Sequence, residues 1–301
     1  TIAAMFWPAR RESYPSSHEL VDLLDGDKLV VVISTPPEWR PSQRTVVLVH
    51  GLCGCYGSPY MSRIAGKLYR RGLQAVRVNL RGCGSGAGLA RHPYHSGRSE
   101  DVRQVVEWLG KRTPESPVTL AGFSLGGNIA LKLAGEDACR PTARLDSVIG
   151  VSAPIDLMAC SQLIGQPRNR IYDAYFVRRL LADVRERQRF FPDLPPFELP
   201  WPVTLREFDD RYTAPRSGFC DAVDYYTRAS SGPLIERIAL PTRIRYAPGG
   251  VIWRLPEYTR VLSILRNPIY AGSFVHGRTT TKTRVVDGRA RKTAGYAVPR
   301  E

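Results

Sequence analysis

Between residues 29 and 247, short apolar runs alternate with stretches in which apolar side chains recur every three or four positions. The runs predict strands at 29–34, 45–50, 74–80, 118–123, 147–152 and 242–247, and the periodic stretches predict helices at 58–71, 99–111 and 125–136. Strand and helix taking turns in this way is the pattern of an α/β fold, a mostly parallel sheet with helices on both faces. The 99–111 segment shows the logic at one helix. Ser99 is the expected N-cap, Glu100 and Asp101 put negative charge in the first turn, and Val102, Val105, Val106 and Leu109 share the face that meets the sheet.

After residue 152 the alternation breaks. Helical spacing returns at 170–189 and 218–229, on either side of a Pro-rich stretch at 191–202, so 156–232 reads as an insertion. Such insertions act as caps over a site or as packed excursions that never touch substrate, and both readings are open. A second shift falls at Pro248-Gly249-Gly250. Beyond it come one helical stretch, 256–267, and a polar tail without apolar period, which divides the chain into a domain at 1–247 and a segment at 248–301.

Composition narrows the class. Apolar residues at 43% and charged residues at 24% are ordinary for a globular protein, and no apolar run approaches the ~20 residues that span a bilayer, so no transmembrane segment is expected. The apolar opening from Thr1 to Pro8 lacks the basic start and cleavage site of a signal peptide. Six cysteines at irregular spacing, in a chain too large to need a disulfide framework, point to free thiols and a cytoplasmic location. The net charge is +15, and from Gly249 to Glu301 ten Lys/Arg stand against three Asp/Glu. That excess admits a nucleic-acid partner and equally a merely solvated tail.

The candidate chemistry lies in Gly122-Phe123-Ser124-Leu125-Gly126, a Gly-x-Ser-x-Gly turn with an apolar strand directly before it and a helix directly after. The serine of such a turn is strained, and side chains two residues to either side would strike backbone, hence the glycines. Ser124 is therefore the candidate nucleophile. His50-Gly51-Leu52-Cys53-Gly54 follows the second strand, where a loop can aim a backbone N–H at a developing oxyanion; the amides of Leu52 and Leu125 are the expected pair. His50 itself reads as structural. Arg81-Gly82-Cys83-Gly84-Ser85-Gly86 lacks the lysine and the immediate helix start of a phosphate loop, and reads as a wide loop beside the site. His50, Cys53 and Cys55 lack a fourth ligand for zinc, and no metal or organic cofactor is expected.

Together with Asn79-Leu80-Arg81-Gly82-Cys83-Gly84, Tyr94-His95-Ser96-Gly97, Ser152-Ala153-Pro154-Ile155-Asp156-Leu157 and Phe208-Asp209-Asp210-Arg211-Tyr212-Thr213-Ala214-Pro215, these motifs carry a resemblance. Over about residues 1–246 the chain resembles the YheT-like branch of the α/β-hydrolase superfamily. The resemblance implies carboxylic-ester hydrolysis, with acyl lipids or short-chain esters as small-molecule substrates, and it places Thr1 some way inside the family's usual N-terminus. It also implies a triad in the order serine, acid, histidine, with the acid just after the 242–247 strand and the histidine in a Gly-Gly-His turn near the C-terminus. Here that strand runs into Pro248-Gly249-Gly250 without a carboxylate, and the only histidine after Ser124 is His276, in Phe274-Val275-His276-Gly277-Arg278. Asp156 stands where some α/β-hydrolases put their acid, which leaves a rearranged triad open. The expectation is an α/β-hydrolase fold whose sheet is truncated at its C-terminal end, and an ester hydrolase impaired for want of acid and base.

The segment at 249–301 has its own resemblance, carried by Val251-Ile252-Trp253-Arg254-Leu255-Pro256 and the stretch from Arg260 to Gly272, to part of the DNA-binding half of large serine recombinases. It implies neither strand cleavage nor a complete DNA-reading module. The rival reading is a non-catalytic protein whose basic C-terminus binds nucleic acid through phosphate contacts.

Overall fold

The computed structural model describes residues 14–199 and 202–245, and the backbone of two further strands at 279–286 and 289–296. Its frame is a seven-stranded sheet in the order β1-β2-β4-β3-β5-β6-β7. The strands are β1 (Ser17–Asp22), β2 (Lys28–Ser34), β3 (Thr45–Val49), β4 (Gln74–Asn79), β5 (Val118–Phe123), β6 (Leu145–Val151) and β7 (Thr242–Arg245). Every residue of β3 and β4 is buried, as befits central strands covered on both faces. Pairings from β4 through β7 are parallel, whereas β1 with β2 and β2 with β4 run antiparallel. The sheet is thus mostly parallel, with an antiparallel hairpin on one side that the apolar pattern did not show.

Three helices cover the faces: α1 (Pro59–Tyr69), α2 (Ser99–Arg112) and α3 (Leu125–Asp137). Val102, Val105, Val106 and Leu109 of α2 are all buried in the main core, as their spacing requires. Ser99, however, is not the N-cap. It is the first helical residue, after Arg98, and its hydroxyl donates to Glu136 Oε2 of α3 at 2.7 Å, so it ties two helices together.

Between β6 and β7 the chain leaves the sheet through α4 (Leu157–Ile164), the long α5 (Arg170–Phe190), the single turn α6 (Leu205–Phe208) with a π turn at Asp209–Thr213, and α7 (Ala222–Ala229). Asn128 of α3 fastens this insertion to the core. Fully buried, it donates to Ser96 O at 3.0 Å and Ala229 O at 2.8 Å and accepts from Ser231 N at 2.9 Å. All six cysteines are free. No helix among the described residues is long and apolar enough to cross a membrane.

Among the described residues the sheet ends at β7, which pairs with β6 over four residues. The expected truncation, the recombinase-like stretch and His276 fall on residues outside the described ones. The exception is a separate antiparallel pair, β8 (Thr279–Val286) with β9 (Arg289–Tyr296). The tail that shows no apolar period in the sequence thus carries two paired strands.

Candidate active site

The strand order reverses at β3, with β4 on one side and β5 on the other, and such a switch point opens a crevice at the strands' carboxyl ends. In the register Val49 of β3 lies beside Gly122 of β5, so the loop beginning at His50 and the turn bearing Ser124 emerge side by side.

Ser124 has φ 51° and ψ −121°, a conformation that costs a non-glycine residue of the order of 1–3 kcal/mol and survives only where the surroundings fix it. Those surroundings are its own backbone bonds: Ser124 N donates to Val151 O at 2.8 Å, and Ser124 O accepts from Gly127 N at 2.8 Å and Asn128 N at 3.1 Å. The flanking glycines are sterically obligatory. A Cβ at Gly122 would lie 2.0 Å from Gly126 O, and one at Gly126 would lie 2.4 Å from His50 O. Ser124 is exposed in a run where its neighbours Ala121, Gly122 and Leu125 are buried, and its hydroxyl has no hydrogen-bond partner among the described residues.

The loop after β3 can be accounted for donor by donor. Gly51 N donates to Tyr60 Oη at 2.9 Å, Cys53 N to Tyr94 Oη at 3.0 Å, Gly54 N to Gly51 O at 3.0 Å, Cys55 N to Ser58 Oγ at 3.0 Å and Tyr56 N to Asn79 Oδ1 at 2.9 Å. Leu52 N alone in this run has no acceptor among the described residues. In the elbow, the amides of Leu125 and Gly126 are likewise unbonded, as the first amides of a helix must be. The two expected oxyanion donors are therefore both free, on two loops that start from paired strand ends.

His50 is fully buried with both ring nitrogens engaged, Nδ1 donating to Gly51 O at 2.8 Å and Nε2 accepting from Leu80 N at 3.1 Å. Burial, partly offset by the Gly51 carbonyl, holds its pKa down at about 4. It is a neutral structural histidine that shapes the loop. His95 is buried, its Nδ1 accepts from Gly97 N at 3.1 Å, and burial beside Arg98 keeps its pKa well below the usual value. Asp156 is exposed and caps α4, accepting from Ala159 N at 2.9 Å, so its carboxylate is engaged away from any imidazole among the described residues. Burial pushes the Cys53 thiol up to about 12, which makes it a packed, inert group.

Arg81 anchors the glycine-rich loop beside the site. It is buried, with Nε and Nη2 both 2.7 Å from the Asp101 carboxylate and Nη1 reaching Asp25 at 2.7 Å and Asp27 at 2.5 Å. Asp25, Asp27 and His92 form the metal-like cluster among the described residues, and the Arg81 guanidinium already supplies its positive charge. Tyr94 stands in one of the motifs named above, in a segment whose residues read as loop-holding, whereas nothing in the sequence singles out Tyr60; both hold amides of the β3 loop. A tyrosine 9 or 41 positions from the amide it holds gives no spacing signal.

A family profile described as alpha/beta hydrolase fold matches residues 44–191, which include both the β3 loop and the elbow. The chain is 33% identical over 242 residues to the putative esterase YheT of Escherichia coli, covering 79% of this chain and 70% of that protein. It is 30% identical over 205 residues to a monoacylglycerol lipase of Saccharomyces cerevisiae, covering 65% of this chain and 45% of that one. It is 25% identical over 199 residues to the phospholipase ABHD3 of Homo sapiens, covering 65% and 48%. The chain thus spans less than half the length of these last two relatives.

Proposed function

Because the chain belongs to the α/β-hydrolase fold family, in its YheT-like branch, we propose that it is a serine carboxylic-ester hydrolase. In this reading Ser124 is the nucleophile, and the amides of Leu52 and Leu125 receive the oxyanion. The supporting observation is the pairing of an exposed, strained serine with two backbone donors, Leu52 N and Leu125 N, that lack acceptors among the described residues. The relatives' printed activities, on esters, monoacylglycerols and phospholipids, favour a small ester or acyl-lipid substrate.

The same reading makes the enzyme slow. Attack by Ser124 needs a base that accepts the hydroxyl proton, and each buried imidazole among the described residues is bonded elsewhere. Hydrolases stripped of triad members keep roughly 1000-fold to 10000-fold over water from the oxyanion hole and binding, which sets the expected level. No observation supports the nucleic-acid alternative.

The test is labelling by a fluorophosphonate probe, located by mass spectrometry. The expected result is slow phosphonylation at Ser124, abolished by Ser124→Ala and unchanged by His276→Ala. Fast labelling that collapses in His276→Ala would replace the impaired enzyme with one whose triad has been reassembled. Absence of labelling in a folded sample would remove the nucleophile reading.

A further inference from the structure

The two tyrosines that clasp the β3 loop do something that fold maintenance alone does not require. Gly51, Leu52 and Cys53 carry three consecutive N–H groups, and the first and third are taken by the hydroxyl oxygens of Tyr60 and Tyr94. Tyr60 comes from the first turn of α1 and packs edge-on against Phe123, the residue before the candidate nucleophile, at a ring separation of 5.3 Å. Tyr94 comes from the stretch just before α2, is buried, and meets the His50 ring at 6.5 Å. Cys53 is itself held at φ 56°, uncommon for a residue with a side chain, so the loop is twisted at the point where Tyr94 grips it. Burial raises the pKa of both phenols, to about 12 for Tyr60, which keeps each oxygen a neutral acceptor over any working pH.

We propose that Tyr60 and Tyr94 are positioning residues that fix the oxyanion loop by the amides on either side of Leu52, so that Leu52 N–H is the one amide of the three left for the oxyanion, beside that of Leu125. This rests on the reading of Ser124 as nucleophile. Neither tyrosine touches the reacting atoms; both act through the backbone. Losing an oxyanion donor outright costs about 100-fold to 1000-fold in rate. Loosening one costs less, so removing a single hydroxyl lowers the phosphonylation rate about tenfold and removing both lowers it about 100-fold, while affinity for the probe is unchanged.

The experiment compares the whole chain with Tyr60→Phe, Tyr94→Phe and the double variant, with thermal melts to confirm folding. Residue-resolved amide hydrogen exchange is read beside the saturation kinetics of labelling. In the parent chain, slow exchange at Gly51 and Cys53 flanking fast exchange at Leu52 is expected. Each substitution speeds its own partner amide and lowers the maximal labelling rate without moving the half-saturating probe concentration. Parent-like exchange in the variants overturns the proposal, as does faster exchange with an unchanged labelling rate. If the parent chain is never labelled, the nucleophile reading fails separately, and the clasp is decided by exchange alone: a protected, open, protected pattern that each Phe variant erases supports it, and uniform exchange overturns it. If Tyr94→Phe does not fold, the half-buried Tyr60→Phe carries the same two readouts.

Discussion

In the core, Arg81 gathers the carboxylates of Asp25, Asp27 and Asp101; in the insertion, Asp209 accepts from Tyr226 and Asp183 lies near Arg179 and Arg187, both in poorly solvated places. At Asp25 and Asp27 burial raises the pKa, but Arg81 at the first, and the Arg91 and His92 amides with Arg81 at the second, outweigh it, so both end below the ordinary 3.8. At Asp209 burial wins over the bonds from Thr213 and Tyr226 and the pKa rises to about 6; at Asp183 burial wins over Arg179 and Arg187, with the same result. The signs are therefore opposite. Carboxyls depressed on folding lend stability that is complete above the unfolded pKa and lost as pH falls through the folded one. Carboxyls raised on folding favour the folded chain while protonated, and withdraw that support as pH climbs from about 4 to about 6. Two regions of one domain thus respond to pH in opposite directions: the core loosens in acid, the insertion toward neutrality.

The largest expected effect comes from Arg81→Ala, which strands three carboxylates around a buried site. Breaking such a network typically costs about 3–5 kcal/mol, because Asp27 and Asp101 stay buried without their partner, while Asp25 is exposed. Urea unfolding should show that loss at pH 7, and a smaller one at a pH below the depressed pKa of Asp25 and Asp27, where those two carboxyls are protonated. An equal loss at both values would break the comparison, because Arg81 would then be acting as filler rather than as charge.

A smaller effect of opposite sign is expected from Asp209→Asn, which keeps an oxygen to accept from Tyr226 Oη, 2.8 Å away, and removes the ionisation. A carboxyl raised from 3.8 to about 6 corresponds to about 1–3 kcal/mol, so the variant gains roughly that at pH 7 to 8 and nothing at pH 4. Hydrogen exchange in α7 is the local readout. Slower exchange there at pH 7, with β4 unaffected, sharpens the contrast; no change in either place argues that the carboxyl is solvated in the working protein.

What the sequence revealed follows the same division. The core strands announce themselves because central parallel strands are buried on both faces, so β3 and β4 read as apolar runs interrupted by Arg77 and bounded by Thr45, Gln74 and Asn79. β1 escaped notice because only Val21 of its six residues is buried, leaving no alternation to see. In the insertion the elements are short and their signals lie in caps. Asp156 at the start of α4, and Thr204 with Glu207 in a capping box at α6, both stand at cap positions, and an aspartate just after a strand reads equally as a candidate acid. The elbow was legible because a Cβ at either glycine would sit only 2.0–2.4 Å from a backbone oxygen, a constraint that glycine alone meets. The tyrosine clasp was not, since it joins side-chain hydroxyls to amides that any residue could supply.

The smallest expected effect tests whether strain in the site is independent of the charges on either side of the comparison. Ser124 holds φ 51° with a side chain present, a cost that glycine does not incur. Ser124→Gly should therefore stabilise the chain by about 1 kcal/mol while abolishing phosphonylation, whereas Ser124→Ala should abolish it with no such gain, because alanine keeps the Cβ that causes the strain. Since no titrating group takes part, the gain should be the same at pH 5 and pH 8, unlike the Asp209→Asn gain. A gain that varies with pH would mean that the elbow feels the carboxyls of the insertion; no gain in Ser124→Gly would mean that the turn relaxes in solution, and that the serine is not held ready by the backbone around it.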